Sequence, residues 1–235
     1  MTDERVVIVT GGTGYLGSSV CNAFATAGST VVAVYLLDGE IPYFKKTLGP
    51  SAKKVALVKA DVTGDGEMER VVKDVIARFK RVDTLVNTVG GYMAGAVEET
   101  SDKDFDRAMA LNLKSAFLSS KAVIPAMRKA KRGTIVNVSS EAALLGEEES
   151  FLYSGSKAGI NRLTESLARE LKDSNVRVNC VMPRTMDTPA NREAMPDADF
   201  SKWVTTDRVA SLIRWLCSED AEPISGAAIP VYGEP

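Results

Sequence analysis

The chain contains no histidine. That absence removes hydrolysis through a Ser-His-Asp triad, metal binding through imidazole, and acid/base catalysis by an imidazole. Any proton that moves must pass through a tyrosine, a lysine or a carboxylate. Cysteine is scarce: Cys21, Cys180 and Cys217 are widely separated, sit in apolar stretches and form no Cys-x-x-Cys pair. They read as packing residues, and neither zinc nor redox chemistry nor any other metal site is expected. No apolar run approaches the ~18 residues needed to span a bilayer. The segment Met1-Thr2-Asp3-Glu4-Arg5 lacks the basic and apolar regions of a signal peptide, so a cytoplasmic location is expected. A formal net charge of -2 leaves no basic field for nucleic-acid phosphates or an anionic membrane surface. Small molecules are the expected partners.

What is present fits one compact domain over residues 1–235, with 45% hydrophobic and 26% charged residues and no linker or repeat. Short β-branched runs, at 6–9, 30–36, 55–58, 84–87, 135–138 and 176–181, alternate with segments of helical period such as Met68, Val71, Val72, Val75, Ile76 and Phe79. The alternation predicts an α/β fold with a doubly wound parallel sheet covered by helices on both faces. A long helical pattern runs from about Asp104 to Ala130, with Pro125 placed to kink or stop it. Residues 183–203, with Pro183, Pro189 and Pro196, read as a loop or short-helix lid over a site.

Two motifs carry chemistry. Thr10-Gly11-Gly12-Thr13-Gly14-Tyr15-Leu16-Gly17 follows the first strand pattern and leads into the helical pattern Val20, Phe24, Ala27. Glycines there permit a tight turn and close approach of backbone to a pyrophosphate, and the helix N-terminus supplies oriented N–H groups. No Lys-Ser or Lys-Thr follows, which argues against a Walker A loop. The second motif is Tyr153-Ser-Gly-Ser-Lys157, with Ser140 thirteen residues upstream of the tyrosine. Residues four apart on a helix share a face, so phenol and ammonium can enter one site, where the cation favours the ionised phenol. A hydride arriving at a carbonyl carbon leaves charge on oxygen, which Ser140 can stabilise and Tyr153 can protonate.

The glycine motif, Asp61, Asn87-Thr88-Val89-Gly90, Asn112, Ser140 and Tyr153-x-x-x-Lys157 together resemble the short-chain dehydrogenase/reductase family, over nearly the whole chain. The resemblance implies a Rossmann-type fold of about seven strands and an NAD(P)(H)-dependent oxidoreductase that interconverts a ketone or aldehyde and its alcohol. It implies that Tyr153 is the acid/base, that Lys157 lowers its pKa and bonds the nicotinamide ribose, that Ser140 holds the substrate oxygen and that Asn112 supports a water-linked relay. It places Gly11, Thr13, Gly14, Tyr15, Leu16 and Gly17 at the cofactor phosphates. Asp61 and Val62 should lie at the adenine, Asn87, Val89 and Gly90 along the adenosine and ribose, and Pro183, Met186 and Thr188 near the carboxamide. It also implies a homotetramer or homodimer built on the long helices.

Some features depart from the pattern. Glycines at 11, 14 and 17 have the spacing of the family's extended branch, and Pro183-Arg184 stands where Pro-Gly is frequent. The end of the second strand carries Tyr35 rather than an acid, which favours NADP(H) over NAD(H), although Asp38 lies near enough to substitute. The segment from Met186 to Trp203 resembles dihydropteridine reductases, so a pterin or quinone-type substrate is the alternative. A dinucleotide sensor without catalysis is the alternative of another class.

Overall fold

A computed structural model describes residues 5–233; the reading of Met1 to Glu4 lies outside the described residues. Along the chain come β1 (Val6–Thr10), α1 (Tyr15–Thr26), β2 (Thr30–Tyr35), α2 (Ile41–Leu48), β3 (Val55–Lys59), α3 (Glu67–Phe79) and β4 (Thr84–Asn87). There follow α4 (Asp102–Met109), α5 (Ser115–Ala130), β5 (Gly133–Val138), α6 (Phe151–Glu170) and β6 (Val176–Pro183). The remaining elements are β7 (Met186–Asp187), α7 (Pro189–Ala194), β8 (Val204–Thr205), α8 (Thr206–Leu216) and β9 (Ala228–Val231).

Seven strands form one parallel sheet in the order β3-β2-β1-β4-β5-β6-β9. The order reverses between β1 and β4, where a doubly wound sheet opens its ligand crevice. Alternation along β1 divides the core in two. Val7 and Val9 join Phe24, Val31, Ala33 and Ile213 on one face, while Val6 and Ile8 join Val32, Met68, Val71, Leu85 and Met127 on the other. Because both faces are covered, β1 is apolar at consecutive positions and shows no polar alternation.

The structure corrects several boundaries. The strand over 30–36 ends at Tyr35, and the seventh strand, β9, has only a short apolar signal containing Pro230. It tolerates that proline because it is an edge strand, paired on one side with β6. The helical stretch after Asp102 is capped by Ser101 and Asp104, which exchange side-chain and backbone hydrogen bonds, and then widens into a π turn at Ala110–Lys114. The helix after that turn runs through Pro125 to Ala130 instead of stopping. Pro125 and Lys121, whose carbonyl loses its N–H partner, both face solvent, so water can take the orphaned group.

Candidate active site

The glycine loop leaves β1 and enters α1. Gly11 has φ +63°, and a Cβ at Gly17 would lie 2.0 Å from the Gly11 carbonyl oxygen, so the helix can start this close to the loop only at a glycine. Gly14 caps α1 without a side chain and the first turn carries no acid, leaving its N–H groups and partial positive charge for an anion. Leu16 is buried beneath this turn, and Tyr15 packs edge-on against Tyr43 with ring centroids 4.8 Å apart. Thr13 is fully buried, and its hydroxyl donates to Glu40 Oε2 at 2.5 Å. Tyr35 ends β2 half-buried, while exposed Asp38 pairs with Lys59.

At the far side of the crevice β5 delivers Ser139 and Ser140. The Ser139 hydroxyl turns into α6 and donates to the Lys157 carbonyl at 2.9 Å. Ser140, 9% exposed, accepts from the Ala142 N–H at 3.3 Å and lies near enough to Tyr153 to lower its pKa. Burial pushes the Tyr153 phenol up, the nearby Ser140 hydroxyl draws it back, and Tyr92 raises it; the rings of Tyr92 and Tyr153 meet edge-on at 5.2 Å. One helical turn on, Lys157 is 4% exposed. Its ammonium donates to the Val138 carbonyl at 3.0 Å and stands 5.7 Å from the Tyr153 ring centroid. Burial brings its pKa from 10.5 down to about 8, so it carries its proton at neutral pH.

Asn112 sits in the π turn, fully buried. Its Nδ2 donates to the Gly91 carbonyl at 3.1 Å and to the Ser156 hydroxyl at 3.0 Å, and its Oδ1 accepts from the Gly91 N–H at 2.9 Å. Ser156 in turn donates to the Tyr153 carbonyl at 2.8 Å. The side chain thus braces the loop after β4 against the tyrosine-bearing turn. Gly90 lies where these groups converge: a Cβ there would come within 2.7 Å of Asn112 Oδ1 and 2.9 Å of Lys157 Nζ.

Asn112, Ser140, Tyr153, Lys157 and Gly90 therefore meet at one place. Other expected contacts have side chains committed elsewhere. Asn87 is buried in a polar chain, accepting from Thr10 at 3.3 Å and donating to Asn137 at 2.8 Å. Asp61 Oδ1 takes both the Thr63 N–H and hydroxyl, which lowers its pKa. Val62 packs in the core, and Val89 borders Gly11. Pro183 is buried at the end of β6.

The expected lid is more ordered than its prolines suggest. β7 pairs with β8, the Met186 carbonyl accepts from Asn191, the Thr188 hydroxyl caps α7, and Arg192 forks onto Asp187 at 2.6 and 2.9 Å. Reading the sequence missed Glu40, Tyr43 and the aromatic contact of Tyr92. The acid of Leu36-Leu37-Asp38-Gly39-Glu40 was visible, but the short 3-10 turn that brings Glu40 back to Thr13 was not.

A dinucleotide fits these residues. An uncapped helix N-terminus faces the glycine loop, and a buried lysine holds an ammonium with three donors, one of them given to Val138. Comparison with known proteins agrees. The family model of the short chain dehydrogenases matches residues 5–199. An uncharacterized oxidoreductase of Thermotoga maritima is 38% identical, the match covering 97% of this chain and 96% of that one. Cyclopentanol dehydrogenase of a Comamonas species is 30% identical, covering 98% and 96%. A solved short-chain dehydrogenase/reductase from Burkholderia xenovorans superposes with a TM-score of 0.89 at 29% identity, covering 97% and 95%.

The chain belongs to the short-chain dehydrogenase family. It is an NAD(P)-dependent oxidoreductase that interconverts an alcohol and a carbonyl by hydride transfer.

Proposed function

We propose that this single domain reduces a small ketone or oxidises the matching alcohol with Tyr153 as acid/base and Ser140 as the second hydrogen-bonding group at the reacting oxygen. The observation that carries the reading is the buried Lys157 ammonium 5.7 Å from the Tyr153 ring, with Ser140 near enough to that phenol to lower its pKa. A nicotinamide dinucleotide held there would supply the hydride chemistry. During reduction Tyr153 gives its proton to the oxygen that gains charge, while the Ser140 hydroxyl donates to that same oxygen. The positive charge of Lys157 favours the phenolate left behind, and its ammonium, with one N–H given to Val138, would hold the ribose of a bound dinucleotide. Asn112 fixes the Gly91 loop and, through Ser156, the first turn of α6, so these groups keep their spacing. Residues 183–203 act as the substrate lid.

For the cofactor, the missing acid at Tyr35 favours NADP(H), but Glu40 weighs more heavily. Its carboxylate touches the glycine loop through Thr13, Asp38 lies two residues before it, and Lys59 is already paired with Asp38. With Asp38 and Lys59 compensating each other, a 2′-phosphate there would meet the Glu40 carboxylate, whereas a ribose hydroxyl could donate to it. The proposal is therefore NAD(H). Exposed Phe105 and Phe151, whose rings stack at 6.5 Å between α4 and α6, offer a face for a homodimer or homotetramer, and the proposed setting is the cytoplasm. No helix among the described residues is long and apolar enough to cross a membrane.

Following NADH and NADPH consumption against simple ketones, quinones and a quinonoid dihydropterin tests the proposal. Turnover of ketones with NADH that Tyr153→Phe abolishes is the expected result. Ketone turnover surviving in that variant refutes the assignment. Selective pterin or quinone turnover would favour a flat ring held against Tyr92, whose 70% exposed ring lies against Tyr153.

A further inference from the structure

Ser140 reaches its place at the end of β5, where the chain leaves the sheet and turns through a short 3-10 segment, Glu141–Ala143. Its side chain and carbonyl hold the amides two and three residues on: Ala142 donates to the Ser140 hydroxyl at 3.3 Å and Ala143 to its carbonyl at 3.1 Å. Beyond this turn, Leu144 and Leu145 are exposed and supply little packing to fix it. The next residue, Glu141, has a different anchor. Arg184, just past β6, donates from Nε to Glu141 Oε2 and from Nη2 to Glu141 Oε1, each at 2.6 Å.

This fork is itself held from behind. The Arg184 N–H donates to the Val231 carbonyl at 3.2 Å, and its guanidinium lies 5.1 Å from the centroid of the Tyr232 ring. Three segments distant in sequence thus meet on one guanidinium: the turn after Ser140, the start of the lid, and the chain leaving β9. A planar fork fixes a carboxylate in orientation as well as distance, which a lysine's single ammonium cannot do.

We propose that Arg184 is a positioning residue for catalysis, holding the Ser140 turn in register through its bidentate grip on Glu141 and tying that turn to the lid. The inference rests on the reading of Ser140 given above. Arg184 does not touch the reacting atoms; it acts through Glu141 on the neighbouring serine. The side chains are 56% and 22% exposed, and ion pairs of that kind add little to global stability. Its consequence lies in the precision of the serine and in how often the turn opens.

The test compares the full-length protein with Arg184→Ala, Arg184→Lys and Glu141→Gln. Hydrogen exchange is followed by mass spectrometry in the unliganded protein, on the peptide covering residues 139–146. Steady-state kinetics and cofactor titration accompany it. In Arg184→Ala that peptide should exchange roughly tenfold faster while the melting temperature barely moves. Its kcat should fall about tenfold, with cofactor Kd within about twofold of the parent. Arg184→Lys and Glu141→Gln should fall between. Unchanged exchange overturns the proposal, as does faster exchange with unchanged kcat, or a loss of cofactor affinity as large as the loss of turnover. If the parent protein turns over no carbonyl or alcohol, the reading of Ser140 and Tyr153 fails. The exchange comparison still decides whether Arg184 holds the turn.

Discussion

Lys157 should cost this protein stability. Its ammonium is buried, it draws on a backbone carbonyl rather than a carboxylate, and its pKa falls from 10.5 to about 8. At ~1.4 kcal/mol for each tenfold change in the protonation equilibrium, burying the charged form costs about 3 kcal/mol. Lys157→Met keeps an unbranched chain in the same space without the charge, and forfeits a hydrogen bond to Val138 worth about 1 kcal/mol. The variant should therefore gain about 2 kcal/mol at pH 7, raising the melting temperature by ~4–8 °C in a chain of this length, while losing turnover.

The pH dependence identifies the cause. Below pH 8 the lysine is charged in both the folded and unfolded chain, and the full cost is present. Between pH 8 and 10.5 the folded protein sheds the proton first, so the unfolded chain binds more protons and parent stability climbs relative to the variant. Urea unfolding of both proteins at matched concentration, from pH 7 to 10.5, should show the gap closing and then reversing, with the parent ahead by about 1 kcal/mol at the top of that window. A variant less stable than the parent at pH 7, or a gap that ignores pH, would refute the reasoning.

Gly17→Ala would place a methyl 2.0 Å from the backbone oxygen of Gly11, so titration should show dinucleotide binding lost and urea unfolding a loss of several kcal/mol. Gly90→Ala presses on Asn112 Oδ1 and Lys157 Nζ; kcat should drop ~10–100-fold with a melting temperature near the parent's. Glu40→Arg replaces the carboxylate beside the glycine loop by a cation, and isothermal titration should show the NADPH to NADH affinity ratio rising at least ~10-fold. An unchanged ratio would remove Glu40 from cofactor selection.

Periodicity made the sheet and most helices legible, because strands covered on both faces must be apolar at consecutive positions and Met68, Val71 and Val75 mark the inner stripe of α3. It could not reveal β9, four residues long with a proline, whose identity depends on pairing with a strand some fifty residues away. Helical spacing put Tyr153 and Lys157 on one face, but only their company with Ser140, Asn112 and the glycine motif pointed to a site. Ser140 could be picked out by its interval, but that Ser139 turns away into α6 depends on the pleat. The contacts of Glu40 with Thr13 and of Arg184 with Glu141 join residues 27 and 43 apart through irregular turns, where no sequence period operates.

The central claim is that hydride and proton transfer take place where Ser140, Tyr153 and Lys157 meet. Incubating the protein with NAD+ and an accepted secondary alcohol carrying deuterium on its carbinol carbon, then examining the reduced cofactor by mass spectrometry, tests this directly. The account predicts one deuterium in the cofactor with the parent protein and none with Tyr153→Phe, although the variant still binds NAD+. Deuterium transfer that persists undiminished in the variant would contradict it.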